Sequence, residues 1–343
     1  MSSGKLRILA LVHQHLVPPD TLPEGVDPVT AEWRTEYDVV STLRALGHDV
    51  RPLGVHDDLG DIRRMCEEWK PHIAFNLLEA FNDVTIFDQN VVSHLELLKL
   101  PYTGCNPRGL LLARDKSLSK KLLSYHRIPV PESEVFRIGQ RVRRPKRLGF
   151  PLMVKSLTQE ASIGISQASV VDSDEKLAER VAFIHESIGT AAIVEQYIDG
   201  RELYVGVLGN QKLQALPVWE LFFTNMPPEA RRIATDRVKW SVKYQTKYGI
   251  DSGAARELTP ALTDAIQHVC KRTFRALELS GYARIDLRLD AEGRPWVIEA
   301  NPNPQIAKGE DFAASAEAAG LPYDSLIQRI VNLGLRWHPE SLA

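Results

Sequence analysis

Three features predict an α/β protein with an N-terminal parallel sheet and two further α+β lobes. Short apolar runs alternate with helical spacing over the first hundred residues, a loop of small residues joins two later strand-like runs, and the C-terminal third holds a hairpin of alternating polar and apolar residues. In the first lobe, residues 1–104, strands are expected at 6–12, 49–53 and 73–77. Between the first two, Trp33, Tyr37, Val40 and Leu43 recur at helical spacing and Gly47 stands where a helix would stop. Another helix is expected over 87–98 before Pro101 and Gly104 end the lobe. The second lobe, residues 105–192, opens with a helix through Leu118, Leu122 and Leu123. It continues with strands at 152–155 and 165–171 joined by the loop 156–164, then a helix over 174–186. The third lobe, residues 193–343, takes strands at 193–198 and 202–208, an irregular segment over 220–257, a helix over 260–277 and the final hairpin.

A chain of 343 residues is long enough for two or three such lobes, and 44% hydrophobic with 25% charged residues excludes fibrous and largely disordered classes. Net charge is −2, so no broad basic surface points to nucleic acid or membrane, and the basic run over 141–147 is short and broken by Pro145. Cys66, Cys105 and Cys270 lack C-x-x-C spacing, which argues against a disulfide framework or a zinc site and for a reducing, cytoplasmic setting. The apolar run at 6–12 is too short to span a bilayer.

The chemistry concentrates in residues 281–303, GYARIDLRLDAEGRPWVIEANPN, where two alternating runs flank the turn 290–293. If Leu289 pairs with Arg294, Arg284 lies opposite Glu299 and Asp286 opposite Val297, which puts Arg284, Asp286, Glu299 and Asn301 on one face. Ile285, Leu287, Ile298 and Ala300 then turn into apolar packing. Hard oxygen donors of this kind suit Mg2+ shared with substrate phosphates, and Arg284 would steady charge on a transferring phosphoryl group. Cross-strand ion pairs on a wetted face would use the same residue types.

Several ordered segments resemble the ATP-grasp superfamily and, within it, the D-alanine–D-alanine ligase family, from Pro101 to about Leu333. They are Pro101-Tyr-Thr-Gly104, Arg114-Asp-Lys116, Lys155, Val194-Glu-Gln-Tyr-Ile-Asp-Gly-Arg-Glu202, Arg284-Ile-Asp286, Glu299-Ala-Asn301-Pro, and the ending Ala-Gly-Leu-Pro-Tyr-Asp-Ser-Leu-Ile at 319–327. The resemblance implies an ATP-grasp fold behind a parallel-sheet (pre-ATP-grasp) domain. It implies transfer of the ATP γ-phosphoryl group to a carboxylate, attack of an amine on the acyl phosphate, and release of ADP and phosphate. Lys116 and Lys155 would reach the phosphates, and the loop holding Ser162 and Gly164 can close over them through backbone N–H groups. Glu195, Gln196, Tyr197 and Ile198 would hold adenine and Glu202 the ribose. Asp286, Glu299 and Asn301 would hold Mg2+, two ions by resemblance, with Mn2+ as a substitute. The segment 238–249 is the lid candidate, and within it Tyr244-Gln-Thr-Lys-Tyr248 resembles the family's loop carrying a phosphate-binding Lys and an adjacent Tyr, which gives Lys247 and Tyr248 catalytic roles beside Arg284; Lys239, Lys243 and Lys247 can equally form the charged face of a helix. A homodimer through the first lobe is also implied.

The pattern departs at the substrate end. The family's glycine-rich N-terminal loop is absent, and the acid that holds the first substrate's amine corresponds to Glu36 or Glu79, Glu36 being otherwise an exposed helical position. Ala161 replaces a serine before Ser162, Gln305 stands where a glycine is expected after Asn301, and Lys308-Gly-Glu310 replaces a serine-bearing segment. Lys308 can pair with an acidic substrate group or stay solvated. His13 and His15 lie at a strand end and receive no role. These departures favour a carboxylate–amine ligase with substrates of its own. The other readings are true D-alanine–D-alanine ligase of cell-wall synthesis, a non-catalytic ATP-binding regulator, and a small-molecule kinase.

Overall fold

Residues 8–12 are fully buried, because the first strand is covered on both faces, and such a strand is apolar without alternation. The computed structural model describes residues 4–159 and 162–339. In the first lobe the elements are β1 (Arg7–His13), α1 (Arg34–Ala45), β2 (Asp49–Val55), α2 (Gly60–Glu68), β3 (Ile73–Asn76) and α3 (Asp88–Leu97). Its sheet has the order β2-β1-β3, parallel throughout, as the alternating pattern predicts.

Two helices follow, α4 (Pro107–Arg114) and α5 (Lys116–Tyr125). Asn106 caps α4 ahead of Pro107, and Asp115 caps α5 by accepting from the Ser117 and Leu118 N–H groups at 2.9 Å each. The second sheet, order β4-β7-β5-β6, is built from β4 (Ser133–Phe136), β5 (Leu152–Ser156), β6 (Val170–Val171) and β7 (Ala192–Gln196), with α6 (Asp174–Phe183) against it. Two expectations change here. The strand expected over 165–171 shrinks to Val170–Val171, because Gln167–Ser169 forms a 3-10 turn locked by reciprocal Ser166 and Ser169 hydrogen bonds. The helix expected to 186 is α-helical only to Phe183 and widens to a π turn over Ile184–Ile188 before Gly189.

The third sheet runs β11-β10-β8-β12-β13 with β9 on β8. Its strands are β8 (Arg201–Leu208), β9 (Gln214–Ala215), β10 (Trp219–Phe223), β11 (Ile250–Ala254), β12 (Tyr282–Leu289) and β13 (Pro295–Pro302). The segment expected to be irregular holds β10, β11 and two short helices, α7 (Asp236–Trp240) and α8 (Val242–Tyr248), capped separately by Thr235 and Ser241. The long helix α9 (Pro260–Ala276) backs this sheet, and α10 (Asp311–Ala318) and α11 (Tyr323–Leu335) return to the first lobe.

Strand pairing groups the chain differently from the divisions at 104/105 and 192/193. Strand β7 lies inside the second sheet, so that sheet ends after Gln196. The helices after Cys105 pack with the first and third sheets: Leu110, Leu123 and Ile128 share a core with Ile266 and Ala283, whereas Phe136, Val154, Leu177 and Val194 form a separate core in the second lobe.

Gly281 joins the third sheet to the end of the first lobe. It has φ +71°, and a Cβ there would lie 2.5 Å from the Gly104 carbonyl oxygen. Gly281→Ala is expected to destabilise by roughly 2–4 kcal/mol, from left-handed strain and overpacking together. Gly149→Ala, with nothing within 4 Å, is the control. Urea midpoints check the pair: a fall in the first variant alone is expected.

Candidate active site

The second and third sheets face each other across an open cleft lined by Lys116, Lys155, Glu202, Lys239, Asp286 and Glu299, among others. The floor is the β12–β13 hairpin, and its register corrects the expected one. Leu289 pairs with Pro295, one residue later than expected, which alone would exchange the faces of β13. An extra residue, Ile298, then bulges between the Leu287–Val297 and Asp286–Glu299 pairs and restores the polar face. Asp286 therefore lies opposite Glu299 and Arg284 opposite Asn301. Ile298 does not turn into the core as expected but lines the cleft.

Arg284 holds Asp286 with two charge-assisted hydrogen bonds, Nε to Oδ1 at 2.7 Å and Nη2 to Oδ2 at 2.9 Å, and Asn301 Nδ2 donates to Asp286 Oδ2 at 3.0 Å. Burial pushes the Asp286 carboxyl upward and the Arg284 guanidinium opposes it. Burial alone would raise Glu299 as well, but Lys116, Lys155, Lys239 and Arg284 outweigh it and bring Glu299 down to about 2. Among the described residues no hydrogen bond occupies that carboxylate. An ionised, hydrogen-bond-free carboxylate beside Asp286 and Asn301 is a donor set of the kind a hard divalent cation takes, so these residues fit Mg2+.

The cations come from separate elements. Lys116 is the first residue of α5 and donates to the Gln159 carbonyl at 2.7 Å. Lys155 on β5 pairs with Glu195 on β7 at 3.0 Å, and Glu195 also pairs with the buried Lys120 at 3.3 Å. An ammonium has three donors, so one carboxylate leaves Lys155 capacity for a phosphate. Burial, with Lys155 adding to it, pushes Lys120 down to about 8 against the pull of Glu195. Lys120 also donates to the Ile298 carbonyl at 3.1 Å, tying α5 to the bulge.

At the opposite end, Glu195, Gln196, Tyr197 and Ile198 all line the cleft together with Glu202. The Glu195 side chain is committed to the lysines, which leaves its backbone for any base contact. Arg288, buried on β12, organises this end: it donates to the Ile198 carbonyl (3.1 Å), Glu202 (2.9 Å) and the Arg232 carbonyl (2.8 Å). Tyr204 donates to the other Glu202 oxygen at 3.1 Å. Sequence reasoning missed Arg288, although it lies two residues beyond Asp286 on the same polar face.

Three expected placements change. Lys247 is exposed, its ammonium 4.8 Å from the centre of the Tyr248 ring, and neither residue lines the cleft. The half-buried Lys239, eight residues earlier on α7, takes the cleft position because Thr235 caps α7 apart from α8 and turns its face inward. Ser162 lines the cleft with φ +63° and donates to the Ala234 carbonyl at 2.7 Å. Gly164 does not line it: its carbonyl accepts from Arg180, and a Cβ there would meet Ile188. Ala161 lies outside the described residues.

Glu36, Glu79 and Lys308 stand apart from the cleft lining, where α1 meets the segment after β13. Glu36 is 5% exposed, not the exposed helical position considered above. Burial, and secondarily Glu79, pushes it up to about 7. Arg34 links α1 to this segment through Glu310 at 2.8 Å and the Lys308 carbonyl. The exposed Lys308 ammonium lies 5.4 Å from the centre of the Tyr323 ring. No described helix is long and apolar enough to cross a membrane.

The family described as D-ala D-ala ligase C-terminus matches residues 122–332. The chain is 30% identical to an uncharacterized protein, y4sG, of Sinorhizobium fredii, over 93% of this chain and 90% of that one. It is 32% identical to a D-alanine–D-alanine ligase of Desulfotalea psychrophila, over 82% of this chain and 84% of that one. Among solved structures, D-alanine–D-alanine ligase from Bacillus anthracis complexed with ATP superposes with a TM-score of 0.72 at 22% identity, covering 96% of this chain and 98% of that one. The enzyme from Coxiella burnetii gives 0.71 at 19% identity, covering 99% and 97%. Identities this low establish shared fold, here the ATP-grasp fold, while the family match spans the second and third sheets and the β12–β13 hairpin. The chain belongs to the D-alanine–D-alanine ligase C-terminal family and is an ATP-grasp ligase of the carbon–nitrogen bond-forming class.

Proposed function

We propose that this enzyme uses ATP to convert a substrate carboxylate into an acyl phosphate and joins it to an amine, releasing ADP and phosphate. The observation that carries the reading is the convergence of Lys116, Lys155 and Lys239 on the Asp286–Glu299 pair inside one cleft, with Arg284 held against Asp286. The carboxylate oxygen attacks the γ-phosphorus as the bond to ADP breaks; the amine nitrogen then attacks the acyl carbon, phosphate leaves, and the nitrogen gives up its proton. Bound with the nucleotide at Asp286, Glu299 and Asn301, Mg2+, with Mn2+ as a substitute, would supply neutralisation of phosphate charge. The lysines bind the triphosphate and hold it in line, and Arg284 balances charge on the transferring group. Arg288 and Glu202 fix the nucleoside end. The contacts between residues 162–167 and 231–236 keep water away from the acyl phosphate, which water would otherwise hydrolyse.

Relatives named D-alanine–D-alanine ligase favour that activity as the second reading. Gln305 and the Lys308–Glu310 segment favour a different amine. The test is Mg2+-dependent phosphate release from ATP with amino acids and dipeptides of both configurations, with product masses recorded. ADP and phosphate formed only when acid and amine are both present, with a product one water lighter than their sum, establishes the ligase. A phosphorylated product without an amine requirement identifies a kinase, and ATP binding without turnover across the panel identifies a regulator.

On this reading Glu36 holds the amine of the first substrate, and its titration makes a prediction. A carboxyl whose folded pKa, about 7, lies above its ordinary 4.5 stabilises the fold fully below 4.5 and loses that contribution as pH rises through 7. The stability of Glu36→Gln relative to wild type should therefore grow from pH 4.5 to pH 8 by on the order of 3 kcal/mol. Thermal unfolding across that range checks it; a pH-independent difference would remove the buried-acid assignment.

A further inference from the structure

We propose that His13, His56 and Asp83 form a binding site for a divalent transition cation of the Zn2+ class at the carboxyl edge of the N-terminal sheet, apart from the Mg2+ donor set. His13 ends β1 and pairs with Val55, the last residue of β2, so His56 follows directly beside it. Gly54 permits this: a Cβ there would lie 2.8 Å from Val17 and 3.0 Å from Gln14 Cα, where the chain leaving β1 folds back over β2. The turn after β3 is fastened to the same point by the Asn82 N–H donating to the His56 carbonyl at 2.7 Å, which brings Asp83 across both imidazoles.

The resulting donors have metal-site spacing. His13 Nε2 lies 3.7 Å from Asp83 Oδ1, His56 Nε2 lies 3.2 Å from Asp83 Oδ2, and the three ligand atoms all fall within 4.8 Å of one another. Donors around a tetrahedral ion with bonds of about 2.0–2.1 Å stand about 3.3 Å apart, so small side-chain shifts close the set. Here His56 Nε2 donates to Asp83 Oδ2 at 3.2 Å, so a cation takes the place of that proton, while Asp57 Oδ1, 3.5 Å from Nδ1, can hold the ring's other proton on Nδ1. Binding through His13 Nε2 places the His13 proton on Nδ1, which gives up only a long 3.4 Å contact from the His15 N–H. Two imidazoles and one carboxylate select Zn2+ or its neighbours over Mg2+, and leave a coordination position for water. An ion here would clamp the turn that follows Glu79 to the ends of β1 and β2.

The test is titration of the full chain with Co2+ under saturating Mg2+, which blocks the oxygen-donor set, read by the visible absorption of tetrahedral Co2+. One Co2+ per chain, displaced by Zn2+, is expected. His13→Ala, His56→Ala and Asp83→Ala should abolish the signal, Asp57→Asn should weaken binding about 10-fold or more, and Glu299→Gln should leave it unchanged. Asp83 is 77% exposed on a turn, so its variant keeps the fold even where a histidine variant does not. No tetrahedral signal in the wild type, or a signal that survives Asp83→Ala and either histidine variant, overturns the site.

Discussion

Glu299→Gln is expected to lower kcat by about 10³-fold or more while the chain keeps its secondary structure and still binds nucleotide. Glu299 is set apart from its neighbours by its surroundings. Asp286 is already held by Arg284 and Asn301, whereas Glu299 faces Lys116, Lys155, Lys239 and Arg284 without a hydrogen bond among the described residues. The amide keeps the shape and removes the charge, so transition-state charge is lost and packing is not. The matching change at Asp286 is less clean, because it leaves the buried Arg284 without its partner and costs stability as well. Circular dichroism and steady-state kinetics over a range of Mg2+ separate the outcomes. A raised Mg2+ requirement with lowered kcat marks a metal ligand, and a loss smaller than about 10-fold would remove Glu299 from that role.

Much of this site was legible from alternation alone. Residues 284, 286, 299 and 301 share a face in the structure as the sequence predicts, although the pairing that puts them there differs. The expected register lacked both the longer turn and the bulge at Ile298, and the two omissions cancel. A bulge leaves no mark in an alternating pattern until the partner strand's register is known, which is why Ile298 was assigned to the core. Arg288 was legible in principle, since period two places it beside Asp286. Strand β4 was not: Ser133–Phe136 is short, without alternation, and stabilised by pairing with β7. Strand β6 was legible but overextended: only Val170–Val171 pair with β5, and Ile165, expected to open the strand, accepts from the Asp236 N–H instead. The burial of Glu36 comes from packing distant in sequence, which α1's own spacing does not show, with the Glu79 charge near enough to act on it.

The lysine assignment in the lid shows how local capping decides function, and it makes the second large prediction. Lys239→Met should reduce kcat/KM for ATP by about 10²-fold, and Lys247→Met should change it by less than about 3-fold. Spacing alone makes Lys239, Lys243 and Lys247 one face of a single helix, but Ser241 ends α7 and begins α8, so the three do not share an orientation. Lys239 turns toward Asp286 and Glu299 and acts on both electrostatically. Its position is fastened from above: Ser162 donates to the Ala234 carbonyl at 2.7 Å, the Asp236 N–H to Ile165 at 3.2 Å, and Gln167 and Arg231 exchange bonds of 2.9 and 2.8 Å. These contacts join the small-residue loop of the second sheet to α7 of the third, and the lysine they hold is the one positioned to meet a phosphate. Lys239→Arg should recover part of the lost rate, since it restores charge without the compact ammonium. Equal losses in Lys239→Met and Lys247→Met would overturn the assignment of the phosphate contact to Lys239 alone.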